Sequence, residues 1–140
     1  PDIQVVCVDR PGVLLVARQL ADDMGLSDRV EFIEGDVDRV AVPTASFDLV
    51  VLANVAQYLD DDRLDATLAT ARSSLVDGGS LYMVTPVLDL DDENAPWLTI
   101  VEMLLATSID QRSTAQLLDH LQRAGFADVQ RPVPSVFIAR

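Results

Sequence analysis

Three apolar runs in this chain each stop at a polar or acidic residue: VVCV at Asp9, VEFIE at Gly35-Asp36, and FDLVVLA at Asn54. If these runs are strands of an open α/β sheet, the polar residues lie outside the carboxyl ends of the strands, where such sheets bind ligands. A carboxylate there can accept hydrogen bonds from a diol or an amine, and it holds such donors more firmly than a neutral acceptor would. Other chemistries find less support. One histidine, His120, and one cysteine, Cys7, are too few for a zinc site. Ser73 and Ser74 have no histidine nearby to activate them. Asp60, Asp61 and Asp62 lack glycine and glutamate at calcium-loop spacing, so they read as a charged helix entry. Gly78-Gly79 lacks the lysine of a phosphate loop and reads as a helix stop. His120 falls with Gln116 and Arg123 opposite the Leu117 and Leu121 stripe, which reads as a surface position. Tyr58 and Trp97 could wall a substrate or pack in the core.

The elements that would position these residues follow from periodicity. Ile3 to Val8 and Val30 to Glu34 are short, valine-rich or alternating runs that suit strands. Between them Pro11 can open a helix, Val13, Leu14, Ala17, Leu20, Ala21 and Met24 recur at helical spacing, and Gly25 ends it. Phe47 to Leu52 is the most apolar strand. After the three aspartates, Leu64, Leu68, Ala71 and Leu75 share a helical face, and Asp77-Gly78-Gly79 is expected to close that helix before a strand at Leu81 to Val84. Pro86 to Pro96 reads as a long acidic loop, with the length of a lid or of a merely solvated connection, and Trp97 to Thr107 as an apolar helix. Ser113 or Thr114 can cap a last helix that Gly125 ends. Asp128 to Arg131 and Val136 to Ala139, joined by a tight turn, must be antiparallel. The alternation predicts an α/β domain with a mostly parallel sheet, helices on both faces and a C-terminal antiparallel hairpin.

Composition narrows the class. A length of 140 residues with 49% hydrophobic content fits one folded domain, residues 1–140. The net charge is −13 and every basic residue is an arginine, a surface that repels phosphate backbones and argues against nucleic acid. No apolar run approaches the ~20 residues of a membrane span, and Pro1-Asp2 does not resemble a secretory start. A lone Cys7 inside an apolar strand reads as a buried core thiol of a cytoplasmic protein.

In chain order, VVCVDRPGV, VEFIEGDV, FDLVVLANVAQYLDDD, LVDGGSLYMV and LLDHLQRAGFADV resemble the class I S-adenosylmethionine-dependent methyltransferases. The Asp-Arg-Pro-Gly-Val and Gln-Arg-Ser-Thr segments look most like the small-molecule O-methyltransferases of that class. The resemblance implies a Rossmann-like sheet that lacks the first strand, the glycine-rich loop and the helix after it. In the resembled fold that strand lies between those at Ile3 to Val8 and Phe47 to Leu52, so both are expected to show unpaired edges. These residues are therefore expected to belong to a longer chain, or to draw on a partner such as a second copy.

By the same resemblance the cofactor is S-adenosyl-L-methionine, held by Asp9, Arg10, Gly35, Asp36, Val37, Ala53 and Asn54. Asp9 would take the ribose diol, Asp36 the exocyclic amine of adenine, and Val37 would pack on the ring. Ala53 and Asn54 would border the methionine half and the incoming substrate. The related enzymes place a histidine base where this chain has Gln57, and acidic partners where it has Thr85 and Gln111. Glutamine accepts no proton near neutral pH, so Gln57 is a substrate-side position rather than a base, and orientation must supply the rate. The expected activity is O-methylation of a small natural-product-like molecule, with no metal. The alternative is a non-methylating protein on this fold, an enzyme of other chemistry or a binding module. A nicotinamide-binding fragment would also suit Asp9, but the terminal hairpin argues against it.

Overall fold

In the computed structural model, residues 3–87, 89 and 110–140 are described. They fall into two compact units, Pro1–Ala41 and Val42–Arg140.

The first unit is a strand–helix–strand crossover. Strand β1 (Val5–Asp9) and strand β2 (Val30–Glu34) pair in parallel from Val5 opposite Val30 to Asp9 opposite Glu34. Parallel strands need a long connection, supplied by helix α1 (Pro11–Asp23) and a short 3-10 turn at Ser27–Arg29. Pro11 stands in the first turn, where its missing N–H is harmless. At the other end Gly25 adopts a φ of 67°. There Leu26 N–H bonds Ala21 O and Gly25 N–H bonds Asp22 O, the paired contacts of a Schellman stop. Leu14 and Ala21 are the buried side chains of α1. Val16, Leu20 and Met24 are exposed, as is Leu15 at 73%.

The second unit is a four-stranded sheet of order β3-β4-β6-β5. Strand β3 (Phe47–Ala53) pairs in parallel with β4 (Leu75–Val84), and helix α2 (Asp61–Ser74) crosses between them. Helix α3 (Thr114–Arg123) precedes the hairpin of β5 (Val129–Val133) and β6 (Val136–Ala139), which joins the sheet by antiparallel pairing of β6 to β4. Asp60 caps α2 by accepting from Arg63 N–H, and Ser113 with Gln116 forms a reciprocal capping box on α3. Gly125, at φ 93°, lets α3 end in a second Schellman stop that buries Phe126. Leu64 and Leu68 of α2, Leu81 and Met83 of β4, Leu117 and Leu121 of α3, and Phe137 and Ala139 of β6 are all buried in this unit.

The chain is thus an α/β protein, and several expectations need correcting. Helix α2 stops at Ser74, not at Asp77-Gly78-Gly79, because Leu75 turns at once into strand and pairs with Phe47. The glycines lie inside β4, in the irregularity between the Phe47–Leu75 and Leu49–Ser80 pairs. A Cβ on Gly79 would come within 3.1 Å of Phe47 O and Val76 O, so close backbone approach explains that residue. Cys7 is half-buried rather than sealed in a core, and burial first, then the Asp9 charge, push its thiol pKa up. The helix expected at Trp97 to Thr107 and most of the Pro86 to Pro96 loop lie outside the described residues. Among those described, β1 pairs only with β2 and β3 only with β4, and Leu49 and Val51 of β3 are exposed. One edge of each of these apolar strands is left without a ladder partner, as expected.

Burial separates two substitutions that look alike in sequence. Phe137→Ala removes a ring with 0% exposure and should cost about 3–5 kcal/mol. Leu15→Ala should stay within about 0.5 kcal/mol of the starting chain. Urea unfolding of the two variants checks both.

Candidate functional site

In-register parallel pairing brings strand ends together, and the polar residues come with them. In Pro1–Ala41, Asp9 ends β1 opposite Glu34, and Gly35 N–H donates to Asp9 O at 3.1 Å. Arg10 N–H donates to Asp9 Oδ1 at 2.7 Å, which fixes the carboxylate at the strand tip. Asp36 follows in a turn whose carbonyl accepts from Arg39 and Val40 N–H, both at 2.9 Å. Gly35 permits that turn, since a Cβ there would lie 3.2 Å from Val40 Cβ. Asp9, Arg10, Gly35, Asp36 and Val37 therefore cluster at two adjacent strand tips. Arg10 and Asp36 are exposed, while Asp9 and Val37 are partly so.

In Val42–Arg140 the same rule operates at β3 and β4. Ala53 pairs with Val84, so Asn54 and Thr85 follow side by side. Asn54 N–H donates to Val84 O at 2.8 Å, and its backbone then turns left-handed at φ 54°. Asparagine is among the few residues that tolerate this. A 3-10 turn, Ala56–Tyr58, comes next. It buries Gln57, 2% exposed, against Thr85, 1% exposed, whose hydroxyl donates to Gln57 Oε1 at 3.1 Å. Asp110 N–H reaches Gln57 O at 2.8 Å, which brings the Asp110–Arg112 segment, Gln111 included, to the same place. Of the three positions singled out for their missing acid and base partners, Gln57 and Thr85 meet here, and Gln111 lies in the adjoining segment. Gln57 and Thr85 are neutral, so this buried pair orders the turn beside the strand end without offering a base. Tyr58 is exposed rather than packed in the core, and Trp97 lies outside the described residues.

His120 corrects a second expectation. It is buried, 4% exposed, because α2 packs on α3 and presents two acids to it. Its Nδ1 lies 2.6 Å from Asp65 Oδ1 and its Nε2 3.3 Å from Asp61 Oδ1. Arg123 pairs with Asp65 as well, and Arg112 with Asp61. Asp61 and Asp65 stand four apart on one helix face, a spacing that could have flagged a buried cation opposite. A hydrogen bond from Arg112 first, helped by the Arg112 and His120 charges, holds the Asp61 carboxyl below its usual pKa against desolvation. Farther along the chain, Asp89 accepts from Thr114 N–H and hydroxyl at the start of α3 and pairs with Arg131. Among the described residues no group of three or more His, Cys, Asp or Glu side chains could hold a metal ion.

Residues 1–127 match the family described as the O-methyltransferase domain. Acetylserotonin O-methyltransferase of Mus musculus is 32% identical over 134 residues, 91% of this chain and 34% of that protein. The tetracenomycin polyketide synthesis 8-O-methyl transferase of Streptomyces glaucescens is 25% identical, over 93% of this chain and 39% of its own. Human N-acetylserotonin methyltransferase, solved with SAM, superposes with a TM-score of 0.76 at 25% identity, covering 98% of this chain and 40% of that one. The chain thus has the fold of these enzymes while spanning between a third and two fifths of their length.

The acid cluster carries a pH signature. Because Asp61 titrates below its ordinary value of about 3.9, its contribution to stability is complete above about pH 5 and is lost as the pH falls through that value and below. Asp61→Asn should lower stability near neutrality and flatten its decline on the acid side. Urea midpoints of both proteins at about pH 7 and about pH 3.5 measure the difference.

Proposed function

We propose, since the chain belongs to the O-methyltransferase domain family, that it is part of an S-adenosyl-L-methionine-dependent enzyme that methylates an oxygen of a small natural-product-like molecule. The observation that carries this reading is the pair of acids at neighbouring strand tips, Asp9 fixed by Arg10 N–H and Asp36 exposed on the turn that Gly35 allows. In that role Asp9 accepts from a ribose diol and Asp36 from an adenine amine. Val37 packs on the base, and Arg10 and Gly35 shape the approach. Ala53 and Asn54 border the methionine half, and the left-handed turn at Asn54 opens that strand end. When bound, the cofactor supplies a methyl group on a sulfonium centre. Gln57, buried against Thr85, backs the acceptor side as a neutral polar group rather than a base.

With no base in the Gln57–Thr85 pair, alignment must supply the rate; well-oriented reactants can gain about 7–11 kcal/mol that way. An acceptor hydroxyl that ionises readily suits such a site. The neutral pair also favours a second reading, a non-methylating protein on this fold, and methyl transfer to any acceptor would rule it out. The likeness to enzymes two to three times its length supports a longer chain, with dimerisation as a further part of the proposal. The acidic, lysine-free composition and the lack, among the described residues, of any helix long and apolar enough to cross a membrane fit a cytoplasmic enzyme.

Calorimetry of the parent protein with S-adenosylhomocysteine is the decisive measurement. Asp9→Ala and Asp36→Ala should each weaken binding by roughly 10- to 100-fold, the loss of hydrogen bonds to a charged group. Undetectable binding by the unaltered protein would sink the assignment. Once an acceptor is known, Gln57→Ala should leave the shape of the pH–rate profile unchanged, since the site's titration is the acceptor's own.

A further inference from the structure

Arg112 lies in the Gln-Arg-Ser-Thr segment that carries part of the family resemblance, yet the proposed chemistry gives it no role. Its guanidinium is buried, the residue being 5% exposed, and it reaches residues more than fifty positions earlier in the chain. Nη1 donates to Ala56 O at 3.2 Å and to Asp110 O at 3.1 Å, and Nη2 donates to Leu59 O at 2.8 Å. Nε donates to Asp61 Oδ1 at 2.9 Å, and Nη2 lies 2.8 Å from the same oxygen. The planar fork of an arginine can serve all these acceptors at once; an ammonium, with three donors on one atom, cannot.

What these bonds hold is the turn that carries Gln57. A single 3-10 turn is weak by itself; its main-chain bonds here include Tyr58 N–H to Val55 O at 3.0 Å and Leu59 N–H to Ala56 O at 3.3 Å. The Asp110–Arg112 segment grips it from outside: Arg112 takes the Ala56 and Leu59 carbonyls, and Asp110 N–H takes that of Gln57. Thr85 is anchored separately, its N–H bonded to Ser135 O in the hairpin turn at 3.0 Å. The Gln57–Thr85 bond therefore joins a residue fixed by the sheet to one fixed by Arg112.

We infer that Arg112 is a positioning residue, which sets the Ala56–Leu59 turn and through it the Gln57 face of the acceptor site. The inference rests on the methyltransferase reading for the meaning of that face, and on the bonds above for the clamp itself. A site without a base depends on alignment, so a small displacement of this turn would be felt in the rate.

Hydrogen exchange by mass spectrometry on the full parent protein tests the clamp without any acceptor. In Arg112→Ala, amides of the 55–60 segment should exchange about tenfold faster or more, while those of β4 and β6 keep their protection. Added guanidinium ion should restore protection to that variant, and Arg112→Lys should behave like Arg112→Ala. Unchanged exchange at 55–60 overturns the inference. So does loss of protection throughout Val42–Arg140 in both variants, which would make Arg112 a general staple of the fold. S-adenosylhomocysteine titration of the unaltered protein runs alongside: its failure removes the methyltransferase reading, whereas the exchange pattern decides the clamp.

Discussion

Strands that pair in parallel and in register must end side by side, and the rest of this molecule depends on that constraint. It sets Asp9 beside Glu34 and Gly35 in one unit, and Asn54 beside Thr85 in the other. No side chain has to travel to reach these places. The apolar runs fix where each strand stops, and the next residue is delivered to the rim by the ladder itself. Two glycines serve the same end by close approach rather than by a left-handed bend: Gly35 lets the Asp36 turn fold against Val40, and Gly79 lets β4 pass the Phe47 carbonyl.

Features governed by local chemistry were legible in the sequence. Pro11, Gly25, Asp60, Ser113 and Gly125 act where their types predict, because caps and stops depend on a few neighbouring backbone groups. Features settled by tertiary pairing were not. Leu75 continues the apolar stripe of α2, and only its pairing with Phe47 turns it into strand. His120 belongs to the polar face of α3 by periodicity, and the acids of α2, 55 and 59 residues earlier, make that face an interior. Arg112 stood out only as part of the Gln-Arg-Ser-Thr segment, and its clamping contacts gave no signal, since its partners are chiefly main-chain carbonyls and a carbonyl carries no mark in the sequence. Of the candidate site, the strand-end residues could be named in advance, whereas the clamp on the turn beside them could not.

Charge is spent unevenly across the chain. With 23 acids against 10 arginines, most of the acids among the described residues are exposed or partly so, where water can screen them. The few arginines with several partners do structural work: Arg112 ties α2 and the turn to the start of α3, and Arg123 joins α3 to Asp65. Arg131 helps hold Asp89, which itself receives the first N–H of α3. Lysine would serve these multidentate geometries poorly, which gives a physical sense to its absence.

The sheet order β3-β4-β6-β5 places one of the last-made strands beside a strand made some fifty residues earlier. Phe137 and Ala139 complete the hydrophobic interior from β6, so that interior stays open until residue 139 has left the ribosome. Nascent chains of this protein must therefore hold β3 and β4 without their last partner, and closure of this half waits for the hairpin to be made.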